Sequence, residues 1–265
     1  MFRLLHIEWL KIRKYRTFWA LSILYLVSLF GVNFIAYRLQ EKIYASNTGG
    51  TMAQVVVGSR PFEFPQVWQM STYVSSFLLF IPGLLIILLI TNEYTYRTHR
   101  QNIIDGLSRK QFIQVKMLLV LIIALVSTIM VTLTAISFGL LHPAPFSLEN
   151  SRFIGYYLLQ ALSYGMFAML LSVIFKRAGL TLGIFFLYAL IIENFIGGVL
   201  NFFTKTAGRY LPLESTDSLI PLPMRKEIQK SVLPAPEYSS LLMVAALYLI
   251  FYIFFIQRKF VRDDL

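Results

Sequence analysis

The chain contains no cysteine. That excludes a disulfide framework, a thiolate metal site and a cysteine nucleophile. Its three histidines, His6, His99 and His142, are far apart in sequence and share no metal-ligand spacing. No glycine is followed by lysine, so the G-x-x-x-x-G-K-[ST] loop that cradles nucleotide phosphates is missing. Neither H-E-x-x-H nor G-x-S-x-G occurs. Charge is scarce as well. Charged residues make up 14% of the chain, against about 25% in an ordinary soluble domain. These absences argue against an enzyme and imply no cofactor.

What the chain has instead is long runs without charge. They are Thr17–Tyr37, Phe64–Asn92, Met117–Asn150 (broken only by Glu149), Phe153–Phe175, Ala178–Thr204 (broken only by Glu193) and Tyr238–Gln257. Crossing a hydrocarbon core of about 30 Å takes roughly 20 apolar helical residues. Because the apolar residues do not alternate with charges, a large soluble core does not explain the 57% hydrophobic content. The expectation is an all-α membrane protein with six transmembrane helices, forming a single membrane domain over 1–265. Thr17–Tyr37 is too long for a signal-peptide h-region and has no small-residue cleavage site behind it, so it reads as a retained first span.

The net charge of +11 could suggest nucleic acid, but its distribution argues against that partner. If the N-terminus is cytoplasmic, segments 1–16, 92–116, 176–177 and 257–265 lie inside. They hold 15 Lys and Arg against five acids. The excess on one side follows the positive-inside rule and predicts that both termini are cytoplasmic.

Residues 1–16 place Phe2, Leu5, Trp9 and Ile12 on one helical face, with Arg3, His6, Arg13 and Lys14 towards the other. Two readings fit: an interfacial helix lying among lipid headgroups, or a plain juxtamembrane anchor. Segment 38–65 reads as an irregular outer loop. Pro82-Gly83 predicts a kink within the second span. The stretch 201–237, with five prolines, is expected outside, with Phe202, Phe203, Tyr210, Leu211 and Leu213 resting against the outer leaflet. No 3+3 inverted repeat is visible.

The richest polar segment is 92–113. Tyr96 to Asp105 can form a short helix, and Gly106 can end it in the left-handed conformation. Ile103 and Ile104 give this helix an apolar edge, while Arg97, Arg100 and Asp105 give it charge. Ser108-Arg109-Lys110-Gln111 fits the S-x-x-Q capping box that opens the next helix. A short helix held between two spans can transmit force from a cytoplasmic partner, although an ordinary solvated loop is the simpler alternative.

Glu93, Thr98, Arg100, Gly106, Leu107, Ser108, Arg109 and Lys116 form a pattern that resembles the ABC-2 type permeases. The basic N-terminal helix, the six spans, the two-residue turn at Lys176-Arg177 and the proline-rich segment before span six extend the resemblance over most of the chain. The family pattern departs at Tyr96-Arg97-Thr98, which stands where a small Thr or Ser with Gly is usual. The resemblance implies a coupling helix that docks on a separate cytoplasmic ABC ATPase through Arg97, Arg100, Ile103, Ile104, Asp105 and Arg109. It also implies re-entrant helices within 201–237, and a second permease copy or sister permease meeting span five.

Two features of span five stand out. Glu193 is a lone acid in an apolar run, read as a gate, a dimer contact or a structural group near the outer boundary. Gly179 and Gly183 make a G-x-x-x-G pair that allows close helix approach. The resemblance thus implies an exporter permease subunit surrounded by lipid in a bacterial inner membrane. An ATP-independent secondary transporter or channel, or a membrane scaffold, is the alternative. The transported substrate is not legible.

Overall fold

The computed structural model describes residues 2–57, 60–104, 106–223 and 237–262. Among them every regular element is helical. The order is α1 (Phe2–Arg13), α2 (Arg16–Ala45), α3 (Asn47–Val56), α4 (Val67–Ser76), α5 (Phe80–Thr95), α6 (Thr98–Ile104), α7 (Arg109–Gly139) and α8 (Arg152–Phe175). Then come α9 (Ala178–Leu187), a π-helical turn (Tyr188–Ile192), α10 (Glu193–Thr204), a 3₁₀ turn (Ala207–Tyr210), α11 (Glu214–Asp217) and α12 (Tyr238–Arg262).

Among the described residues, five helical units are long and apolar enough to cross a membrane: α2, α7, α8, α9–α10 taken together, and α12. The pair α4–α5 passes the same test only as one span, bent by 47°. The count of six therefore holds if this broken pair is one crossing. The break lies at Phe77–Leu79, a few residues before the expected position at Pro82-Gly83. The cause is still Pro82. It has no N–H to give, and its ring crowds the carbonyl four residues back, at Leu78. Gly83 then lets α5 approach α9, since a Cβ there would come within 2.5 Å of the Phe185 ring.

Segment 38–65 corrects the expectation of an irregular loop. α2 continues to Ala45, and 47–56 is helical in spite of Gly49-Gly50. Composition misleads here because the fold packs this stretch. Gln40 Oε1 accepts from the Phe62 backbone N–H at 2.8 Å, and Phe62 is fully buried beside Phe138.

α8 is the centre of the bundle. Most of its most apolar stretch is buried, whereas α2, α9–α10 and α12 are largely exposed. Exposed Leu, Ile and Phe on those outer helices are what lipid contact requires. Polar groups between helices pair with one another. Tyr25 and Tyr157 hydroxyls lie 3.0 Å apart, and Asn33 Nδ2 donates to Ser75 Oγ at 3.0 Å. Side-chain bonds of this kind tie helices together where water cannot compete.

At the start of α7, Ser108 Oγ accepts from the Gln111 N–H, and Gln111 Oε1 accepts from the Ser108 N–H. The capping box is thus formed as the sequence predicts. Ser108→Ala is expected to cost about 1 kcal/mol, read as a small fall in the thermal midpoint of the purified protein. An unchanged midpoint would remove the cap from the stabilising contacts.

Candidate functional site

The bundle has two polar ends. One gathers α1, the α5–α7 connection and the end of α12. Here Arg109 Nη1 donates to the Val261 carbonyl at 2.8 Å, tying α7 to α12. α5 stops at Tyr96, and Arg97 turns the chain with a left-handed φ of 55°. α6 then runs for seven residues, two residues later in onset than the sequence suggests, and Gly106 follows with φ 97°. A left-handed Arg97 explains why the helix begins only at Thr98. Gly106 meets the expectation that the turn after α6 needs a residue without a Cβ.

Among the proposed docking residues, Arg97 is exposed, Ile103 is half-buried, and Ile104 is 76% exposed. Arg100 falls within α6, but its side chain, like the whole of Asp105, lies outside the described residues. Ile104 is therefore an apolar group turned outward from a short helix that lies between α5 and α7 in the chain.

Beneath this segment lies a charge cluster that sequence reasoning did not assemble. Lys116 Nζ, 3% exposed, contacts Glu8 Oε2 and Glu93 Oε1, each at 2.5 Å. Lys11 Nζ bridges the same two acids, at 2.9 Å from Glu8 and 3.2 Å from Glu93. Two acids and two bases neutralise one another where α1, α5 and α7 meet. Burial pushes the Glu8 carboxyl up, but Lys116, and then Lys11, outweigh it and hold that carboxyl below its ordinary value. Burial likewise disfavours the Lys11 ammonium, but Glu93 and Glu8 raise it above the usual lysine value.

The expected apolar face of α1 is present only in part. Ile12 is buried and Leu5 half-buried, whereas Trp9 is half-exposed, edge-on to Trp19. Glu8 takes the buried place that an apolar residue would fill. The Glu8–Lys11 spacing of three was a visible signal for half of the cluster. The Lys116 contact, 108 residues away, was not.

At the other end, α10 and the chain after it fold back on α8. Glu193 is 4% exposed, and its Oε1 accepts from the backbone N–H groups of Leu213 and Glu214 at 2.6 and 3.0 Å. The carboxylate therefore caps α11 from within the same chain. Leu213, expected against the outer leaflet, is instead buried in the bundle at 1% exposure, while Phe202 and Phe203 are exposed. Gly179 and Gly183 are exposed, and a Cβ at either would meet nothing within 4 Å.

The π-helical turn before Glu193 has no compositional signature and was not foreseen. It carries an extra residue per turn and often marks a functional place in a helix. Asn194 Nδ2 donates to the Ala189 and Leu190 carbonyls beside it. Next to this turn lies a cavity of about 570 Å³. Its wall includes Tyr73, Phe77, Gln160, Arg209, Glu214 and Asp217. Asp217 accepts from Gln160 Nε2 at 2.8 Å and from the Tyr164 hydroxyl at 2.9 Å.

Apolar crossings around a central helix, with charged groups confined to the two ends, define a multi-pass membrane protein. Among the described residues no group of His, Asp and Glu is arranged to hold a metal ion. The chain belongs to the ABC-2 transporters: the family model described as ABC-2 family transporter protein matches residues 4–204. The match takes in α1 from Leu4 onward, the α5–α7 connection and the whole of α9–α10. No curated protein matches the chain.

Proposed function

We propose that this protein is the permease subunit of an ATP-driven exporter, moved by a separate cytoplasmic ATPase that grips α6. The observation that carries this reading is the geometry of α6. It is a short helix with an outward isoleucine, closed by left-handed residues at both ends and joined directly to α5 and α7. On this reading, displacing α6 loads α5 and α7, the helices on either side of it in the chain.

Orientation follows from charge. The end holding α1, α6 and the Lys176-Arg177 turn carries most of the basic residues, which favours the cytoplasmic side. On that reading α1 lies at the inner interface, and the cavity beside α11 opens towards the outside. A second permease copy would meet the exposed Gly179–Gly183 face of α9, where small residues leave room for close approach. Lipid covers the remaining apolar surface.

An ATP-independent carrier would need ionisable groups along the spans to couple an ion gradient. Glu193 is the acid best placed for that role, but its Oε1 is engaged by two backbone N–H groups. This favours the ATP-driven reading. The test is assembly with a P-loop ABC ATPase co-expressed with this chain. Changing Arg100, Ile103 and Ile104 together to Asp is expected to abolish co-purification while leaving the permease in the membrane. Undiminished co-purification of the triple variant would overturn the docking assignment.

A further inference from the structure

A groove beside α1 has the size and polarity of a lipid site. α1, α2, α5 and α7 all line it. Its volume is about 640 Å³, within the about 300–1,000 Å³ of small-ligand sites. The lining is almost entirely apolar. Along α7 it extends from Leu119 to Met130, roughly 16 Å at 1.5 Å per residue. That is about half of a 30 Å hydrocarbon core, the depth of one leaflet. Leu26, Ile122 and Val126 belong to the lining and are exposed, so the groove is open towards lipid.

An apolar groove alone names no occupant, but the charge at its edge does. The α1–α2 turn carries Arg13, Lys14 and Arg16, all exposed. Among the described residues none of the three is paired with a carboxylate. Trp19 lines the groove, and its Nε1 donates to the Arg13 carbonyl at 3.1 Å, which holds the basic turn at the groove's edge. Trp9, also in the lining, packs edge-on against Trp19. Tryptophan rings favour the headgroup level of a bilayer. Glu8 is the one acid in the lining, and Lys116 and Lys11 neutralise it. Basic side chains at the headgroup level favour anionic lipid. Three cations beside a leaflet-deep apolar groove therefore match a negatively charged headgroup on a hydrocarbon chain.

We propose that this groove holds an acyl chain of one anionic phospholipid, with its phosphate group at the Arg13–Lys14–Arg16 turn. The chain covers the apolar lining, and the headgroup supplies the negative charge that the turn lacks. Because four helices share the lining, the bound lipid bridges α1 to α2, α5 and α7. Phosphatidylcholine offers the same chains and phosphate, but its choline cancels the charge. It fits the groove and not the turn. The site goes beyond the docking of α6 on an ATPase and does not depend on it, because lipid binding is read on the permease alone.

The test is native mass spectrometry of the purified, delipidated full-length permease. It is titrated with phosphatidylglycerol or with phosphatidylcholine of the same chains. The first phosphatidylglycerol is expected to bind at least fivefold more tightly than the first phosphatidylcholine. Changing Arg13, Lys14 and Arg16 together to Gln is expected to erase that preference and leave phosphatidylcholine binding unchanged. Ser22 lines the groove and is half-buried. Ser22→Phe puts a ring into the groove and is expected to weaken phosphatidylglycerol binding at least fivefold at the parent thermal midpoint. If that variant does not fold, fluorescence of the parent protein serves. Trp9 and Trp19 line the groove, while Trp68 is buried. Phosphatidylglycerol brominated on its chains should quench them at a concentration at least fivefold below that of brominated phosphatidylcholine. Equal affinity or equal quenching by the two lipids would overturn the site. So would an undiminished preference in the triple variant, or parent phosphatidylglycerol affinity in a folded Ser22→Phe.

Discussion

Replacing Lys116 with methionine is expected to be the most damaging single change considered for this protein. The side chain is buried between Glu8 and Glu93. Methionine fills much of the same space but leaves two carboxylates facing each other without the buried ammonium between them, beside the more exposed Lys11. Removing one partner of a buried ion pair costs about 3–5 kcal/mol, because the remaining charge has lost its compensation. The thermal midpoint should fall by roughly 10 °C, taking about 2–4 °C per kcal/mol for a chain of this size. Neutralising both acids in the same background, with Glu8→Gln and Glu93→Gln, should recover most of the loss. If Lys116→Met melts with the parent, the cluster is not a structural anchor.

The pH response of the same cluster has a definite sign. The Glu8 carboxyl lies below its ordinary 4.5 in the folded protein. Its contribution is therefore fully present above that value and is lost as pH falls through the lowered folded value. Acid should loosen α1 from α5 and α7. Neutral and mildly basic conditions should leave it in place.

The second large effect is expected at Glu193. Glu193→Leu keeps an apolar residue in an apolar helix, yet it leaves the N–H groups of Leu213 and Glu214 without their acceptor. A buried unsatisfied donor costs about 1–3 kcal/mol, and the Glu214 N–H is only part-buried, so a total near 2–4 kcal/mol is expected. Glu193→Gln retains an acceptor and should stay within about 1 kcal/mol of the parent. Limited proteolysis gives the more specific readout. The leucine variant should become cleavable across 205–223 while the glutamine variant resists. Identical behaviour of the two would show that the carboxylate does not hold α11.

The contrast between Lys116 and Glu193 shows what the sequence could and could not reveal. Apolar crossings are legible because the membrane demands about twenty apolar residues of every helix, and charge cannot hide inside one. The α6 turn was legible because Gly106 and Ser108 carry local conformational meaning. Glu193 stood out as an acid in the wrong place, but its partners are backbone groups, and no side-chain pattern advertises them. The α4–α5 break moved upstream because a proline disturbs the turn before it and not its own position. The helix at 47–56 was hidden by its two glycines, and Leu213 by the prolines around it. At Leu213, packing against the bundle overrides local preference.

The Glu8–Lys116 contact also sets an order of events during synthesis. Its two residues are 108 positions apart. At roughly 5–20 residues per second, α1 is complete about 5–20 s before its cationic partner has been made. Through that interval Glu8 cannot be buried without a counter-charge beyond Lys11. The first helix must wait at the water boundary until the third crossing arrives. Only then can α1 dock, which makes its docking a report that the first half of the bundle has been threaded correctly.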